Sequence, residues 1–246
     1  MAASTNNVTM RLFRRPSLLS LTLALLLAAG CEGDVTGASS PSIATSNTAQ
    51  TIRPDTSPSE SKGKPEAGDV LPIWSLQNYQ PNSPRFEQTY GLEAYKGTVT
   101  LVALFAGWCS YCLDQALALE DLWQELLAAG YEIQFVAIHP NDSDEEIYRN
   151  ALIYQLDEED NITYDTAGKP IYRSTYPLFQ DTEQVDAWGL HRGAKDDFYL
   201  YGTNGTLKLW LTPTTEGGSV DTDFSHDGVR EYFKKRLIQM TQEPAG

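Results

Sequence analysis

Residues 99–105 read VTLVALF, a run of β-branched and apolar residues broken only by Thr100. A strand with one wet face alternates polar and apolar side chains, so an unbroken run predicts a strand covered on both faces. From residue 111 to 129 the spacing lengthens. Ala116, Leu119, Trp123 and Leu126 fall on one stripe, with Asp114, Asp121 and Glu125 off it, which predicts a helix. Gly130 supplies a C-terminal stop. Residues 132–138, EIQFVAI, form a second apolar strand. Strand, helix and strand over 99–138 make a βαβ unit, which confines the two strands to parallel pairing through a right-handed crossover.

Farther on the connections shorten. Residues 197–201 and 206–212 flank Thr203-Asn204-Gly205, and Asn-Gly between two β runs predicts a tight hairpin. In its second strand Leu207, Leu209 and Leu211 alternate with Lys208 and Trp210, a half-buried pattern. Val229, Tyr232, Phe233, Leu237 and Met240 form a helical stripe, with Ser225 as the expected cap and Pro244 as the stop. A helical stretch over 144–156 and a strand started by Tyr176-Pro177 lie between. The order is βαβ, an intervening helical stretch, a hairpin and a final helix, for which the expected fold class is α/β, a central mixed β-sheet flanked by helices. No internal repeat is evident.

The strand-to-helix junction carries FAGWCSYC, residues 105–112, with Cys109 and Cys112 spaced CxxC. An ordinary thiol with a pKa near ~8.5 is only about 3% thiolate at pH 7, and the thiolate is the nucleophile. A helix start offers unpaired N–H groups and the positive end of the dipole, and CxxC thiols placed there titrate from ~3.5 to ~7.5. Cys109 is therefore the expected attacking thiol. Cys112, one turn in, is the expected resolving thiol. Asp114 is close in sequence and no lysine or arginine is, so an intermediate degree of activation is expected.

The N-terminal residues predict that these thiols lie outside the cytoplasm. Arg11, Arg14 and Arg15 precede an apolar run over 18–29, which has the form of a signal peptide occupying residues 1–30. The run ends LLAAGC, which resembles a bacterial lipobox with Cys31 as the lipid anchor holding the chain at a membrane. Cleavage would leave 15 of the 18 basic side chains against all 33 acidic ones, a net charge of −18, which argues against a nucleic-acid partner. Residues 31–66 are rich in Ser, Thr, Pro and Gly and lack any aromatic, so they predict a disordered tether with a reach of roughly 30–35 Å. Residues 67–246 suit one domain.

The domain resembles the thioredoxin-like redoxins, and within them the N-terminal domain of selenoprotein P. The likeness rests on Trp108-Cys109-Ser110-Tyr111-Cys112, on Leu119-Glu120-Asp121-Leu122, on Val185-Asp186-Ala187-Trp188 and above all on residues 193–201, GAKDDFYLY. It implies a thioredoxin-like fold over 67–246 and thiol-disulfide exchange with a redox partner protein, a small thiol or a peroxide, without a cofactor. Cys109 stands where the animal proteins carry selenocysteine, and their selenium-rich tail has no counterpart here. Thioredoxins place a cis-proline opposite the CxxC; the segment at 193–197 has none, so a trans peptide is expected there.

Other readings compete. A lone CxxC offers zinc no second ligand cluster, so no metal site is expected, and Leu113 after Cys112 rules out the CxxCH of haem attachment. Copper binding by the two cysteines and His139 is an alternative function, against His139 as a solvated loop residue before Pro140. His191 and His226 have no positional case. A permanent disulfide in a binding domain is the other alternative. Trp108 is read as a wall of the redox site, with Ser110 and Tyr111 supporting it. Asp196 and Asp197 read as exposed loop carboxylates, Asp196 being the candidate for proton transfer at the thiols.

Overall fold

The computed structural model describes residues 63–213 and 221–243. The expected signal peptide over 1–30, Cys31, most of the 31–66 tether and the Pro244 stop lie outside the described residues. Two short strands, β1 (Leu76–Gln77) and β2 (Thr89–Tyr90), pair antiparallel, and a 3-10 turn at Leu92–Tyr95 leads into β3 (Val99–Leu104). Then come α1 (Ser110–Ala128), β4 (Ile133–His139), α2 (Glu146–Ile153) and β5 (Leu178–Gln180). The chain closes with α3 (Ala187–Leu190), β6 (Phe198–Tyr201), β7 (Leu207–Leu211) and α4 (Asp227–Thr241).

The main sheet has the order β5-β4-β3-β6-β7. β3 pairs parallel with β4, from Val99 opposite Ile133 to Leu104 opposite Ile138, and β4 pairs parallel with β5. β6 runs antiparallel to both β3 and β7. This is the expected mixed sheet in the thioredoxin-like arrangement.

Because side chains alternate across a strand, β3 serves two cores. Val99, Leu101 and Ala103 join Phe135, Phe198, Leu200 and the inner faces of α1 and α4. Val102 and Leu104 join Val136, Ile138 and Tyr199 under Trp74, Leu76, Leu92 and Ala187. All six residues of β3 are buried, as the unbroken run requires. On α1 the Ala116, Leu119 and Leu126 stripe is fully buried and Leu122 joins it, while Trp123 sits at the edge, donating its indole N–H to the Ile133 carbonyl at 3.1 Å. Gly130 takes φ +83 just past the helix, the left-handed turn that ends it. The Asn204-Gly205 hairpin forms, with Gly205 at φ +76.

Two expectations change. The residue at the start of α4 is His226, not Ser225, and no side chain caps that end. The Ser225 N–H donates instead to Asp223 Oδ1 at 2.9 Å, in a turn just ahead of the helix. Tyr232 is 43% exposed, since Val229, Phe233, Leu237 and Met240 already fill the stripe against the sheet and Tyr232 only meets Phe233 edge-on. Between α2 and β5 lie two matching turns that the sequence does not announce. Asp157 accepts N–H bonds from Glu159 and Asn161, and eight residues later Asp165 accepts them from Ala167 and Lys169. Each turn has a left-handed fourth residue, Asp160 at φ +62 and Gly168 at φ +75. The segments around them bridge in a closed set, Leu156 with Ile162, Tyr164 with Pro170 and Tyr154 with Tyr172. Aspartate and glycine at the turns and mixed residues elsewhere leave no hydrophobic period to read.

Candidate active site

Cys109 ends the loop from β3 and is the N-cap of α1, with an extended backbone (φ −103°, ψ 110°). Its sulfur accepts the Cys112 N–H at 3.3 Å, so one orphan donor of the helix start points at the thiol. Cys109 keeps 7% of its surface exposed and Cys112 none. Both thiols are free. The outer sulfur is thus the more accessible of the two, and the inner one lies within 4.8 Å of it.

The loop before β6 closes over this pair. Asp196 donates its N–H to the Leu104 carbonyl at 2.9 Å, and the Asp197 carbonyl accepts from the Leu104 N–H at 3.0 Å, which fastens the loop to the end of β3. Asp196 takes φ +67, a left-handed conformation that aspartate tolerates better than most residues. Its peptide bonds are trans, as expected without a proline. Neither carboxylate is exposed: Asp196 shows 3% of its surface and Asp197 1%, a correction to the loop reading. Asp197 is structural, since its Oδ2 accepts from the Ala194 N–H, the Tyr199 hydroxyl and the Trp210 indole. Asp196 faces the two cysteines, with a carboxylate oxygen and both sulfurs all within 4.8 Å of one another.

Electrostatics act on the inner thiol. Burial first, then the hydrogen bond and charge of Asp196, push the Cys112 thiol well above its ordinary pKa. Burial likewise raises Asp196, with its hydrogen bond to Cys112 and the Lys195 charge opposing. The expectation that no cation lies near is also corrected. Lys195 is held charged chiefly by a hydrogen bond to Cys109, and its ammonium lies 5.5 Å from the Trp108 ring centroid. Eighty-six positions separate Lys195 from Cys109, so sequence neighbours could not reveal it.

Trp108 is 48% exposed and donates its indole N–H to Ser143 Oγ at 3.1 Å, which makes it a wall beside Cys109 and not a core aromatic. It borders a cleft of about 420 Å³ that also involves Leu113, Ile147, Tyr148 and Arg173. Ser110 is exposed in the first turn, and Tyr111 is 36% exposed, its phenol raised to about 12 by burial and then by Asp223. His139 is not a solvated loop residue. It is the last residue of β4 and fully buried, and it stands outside the group formed by Cys109, Cys112 and Asp196, which is the one potential metal-binding group among the described residues. The copper reading that needs it therefore loses its third ligand.

Two supporting residues went unread in the sequence. An added Cβ on Gly107 would lie 2.0 Å from the Tyr148 carbonyl oxygen, so only glycine lets α2 pack against the loop. Arg173 ties the two helices, its Nε donating to the Ala151 carbonyl at 2.8 Å and its Nη1 to the Leu113 carbonyl at 3.0 Å.

Solved structures with a similar chain path include the thioredoxin domain of a thiol-disulfide oxidoreductase from Bacteroides vulgatus (13% identity, TM-score 0.47, 70% of this chain and 98% of that one). Another is a SCO1/SenC family lipoprotein from Bacillus anthracis (16%, TM-score 0.46, 72% and 97%). Among curated proteins, selenoprotein P of Rattus norvegicus is 32% identical over 155 residues, covering 62% of this chain and 33% of that one. Selenoprotein P of Homo sapiens is 29% identical over 143 residues, covering 57% and 30%. The chain thus spans about a third of the length of these relatives. The family model for the selenoprotein P N-terminal region matches residues 71–213, a span that runs from before β1 through both cysteines and the Lys195-Asp196 loop to the end of β7, and this chain belongs to that family.

Proposed function

We propose that this chain is an exported thiol-disulfide oxidoreductase in which Cys109 attacks and Cys112 resolves. The observation that carries the reading is the asymmetry of the pair. Cys109 is the more open sulfur, receives a helix N–H and lies beside the Lys195 ammonium, while Cys112 is sealed behind it with the Asp196 carboxylate as hydrogen-bond partner.

In the first step the Cys109 thiolate attacks one sulfur of a substrate disulfide. A Cys109–substrate disulfide forms, the substrate S–S bond breaks, and the other half leaves as a thiolate that takes a proton from water. In the second step Cys112 passes its proton to Asp196 and attacks the Cys109 sulfur. The Cys109–Cys112 disulfide forms and the second substrate thiol leaves. Two electrons move from the protein dithiol to the substrate, and the reverse sequence oxidises a substrate dithiol. A peroxide would be attacked by the same Cys109 thiolate, its O–O bond breaking to give a sulfenic acid and a hydroxide or alkoxide that takes a proton from water, and Cys112 then condenses with the sulfenic acid to the disulfide with loss of water.

The test is trapping. Reduced Cys112→Ser protein mixed with a disulfide substrate should accumulate one substrate half on Cys109 by mass spectrometry, whereas wild type should go on to the internal disulfide and Cys109→Ser should capture nothing. Absence of the adduct, or a Cys112→Ser turnover rate equal to wild type, would overturn the assignment. A reduction potential below about −300 mV would instead fit a structural staple. Residues 1–31 support export and lipid attachment, which predicts that Cys31→Ser moves the protein from the membrane fraction to the soluble one.

A further inference from the structure

We infer that Cys109, Cys112 and Asp196 are a binding site for one thiophilic divalent cation of the zinc class, whose capture withholds the dithiol from exchange. The sequence gives only two of these ligands. The third arrives because the loop before β6 is fastened to Leu104 and turns the Asp196 side chain toward the sulfurs.

Three observations support it. The two Sγ atoms and a carboxylate oxygen all lie within 4.8 Å of one another. Tetrahedral zinc with bonds of about 2.3 Å to sulfur and about 2.1 Å to oxygen requires S–S and S–O separations of roughly 3.8 and 3.6 Å, so the cluster needs to close by no more than about an ångström. Asp196 is 3% exposed, and its Oδ1 is buried without a hydrogen-bond partner among the described residues. A buried carboxylate oxygen left unsatisfied is costly, and a cation held by that carboxylate would offset the cost. Finally, charge balances locally. Two thiolates and a carboxylate carry three negative charges, a divalent cation offsets two, and the Lys195 ammonium stands beside Cys109 for the third. The fourth position is left to water or an incoming ligand. A carboxylate in the set favours zinc or cadmium over cuprous copper, which selects soft donors.

Binding displaces the thiol protons and removes both sulfurs as nucleophiles, with no change in their oxidation state. The test uses the reduced full-length chain carrying Cys31→Ser, titrated with zinc against a chromophoric chelator and with cobalt(II) as a spectroscopic probe. One equivalent should bind, with a thiolate-to-cobalt charge-transfer band in the near ultraviolet. Cys109→Ser and Cys112→Ser should abolish the band, and Asp196→Asn should keep it while weakening zinc by roughly tenfold or more. Zinc should also protect the wild-type thiols from alkylation, a readout that does not depend on whether Asp196→Asn folds. No saturable binding at one equivalent, no protection of the thiols, or equal affinity in a folded Asp196→Asn would overturn the site. The outcome is separable from the exchange reaction. Trapping on Cys109 without zinc binding would refute only the metal site, and zinc binding without trapping would refute only the exchange.

Discussion

Two histidines buried without charge give the fold an acid liability whose size can be worked out. Burial lowers the His191 pKa to about 3, and burial, aided by the Arg149 charge, lowers that of His139 to about 4. The ring of His191 is held neutral by its partners. Nε2 accepts the Trp74 indole N–H at 3.2 Å, so the ring proton sits on Nδ1, 3.3 Å from the Tyr201 hydroxyl oxygen. A second proton would set two N–H groups against each other. In the unfolded chain both rings titrate near ~6.5. Above that pH neither state binds the proton and the pair has no effect. As the pH falls below it, only the unfolded state takes up protons, and each ring costs ~1.4 kcal/mol per pH unit until the folded pKa is reached. From pH 6.5 to 5.0 that is about 2 kcal/mol each and about 4 kcal/mol together, a large share of a typical 5–15 kcal/mol. Asp196 and Asp197, raised by burial, act with the opposite sign. The His contribution is therefore best isolated by difference. Urea unfolding of wild type and His191→Gln at pH 7 and pH 5 should show the variant losing about 2 kcal/mol less than wild type between the two pH values, whatever its absolute stability. Equal losses, or an NMR titration of His191 with a midpoint above 5, would refute the reasoning.

Other perturbations act at the site. Gly107→Ala should displace α2 and lower stability by about 1–3 kcal/mol in chemical denaturation, since the new methyl would meet the Tyr148 carbonyl, and an unchanged midpoint would show that the loop has slack. Lys195→Met should slow alkylation of Cys109 at pH 7 by about twofold to fivefold, the range for an exposed charge pair, with the difference shrinking in high salt. A salt-independent difference would point to a packing effect of the side chain instead.

The framework was legible because it rests on periodicity. The unbroken run at 99–105, the stripe on α1 and Asn204-Gly205 each state a local preference that packing does not overrule, and all three elements form close to their expected bounds. The CxxC was legible for the same reason, being local. What the sequence hides is who arrives from afar. Asp196 and Lys195 look like ordinary loop charges until two backbone bonds to Leu104 carry them to the thiols, and a count of neighbouring charges near Cys109 finds only Asp114. His139 precedes a proline and so resembles a loop residue, yet β4 continues one residue past the apolar run and takes the ring inside with it. Ser225 has the composition of a cap, but the helix begins one residue later, with His226 at the cap position.

The first described residues are held at an unexpected place. Arg192 donates to the Gly63 and Lys64 carbonyls and pairs with Asp69, and it lies three residues before Lys195 on the same loop that brings Asp196 to the sulfurs. The start of the described chain is therefore fixed to the segment that brings Asp196 beside the two cysteines. One short piece of chain therefore joins two attachments, to the start of the described chain through Arg192 and to the end of β3 through Asp196 and Asp197.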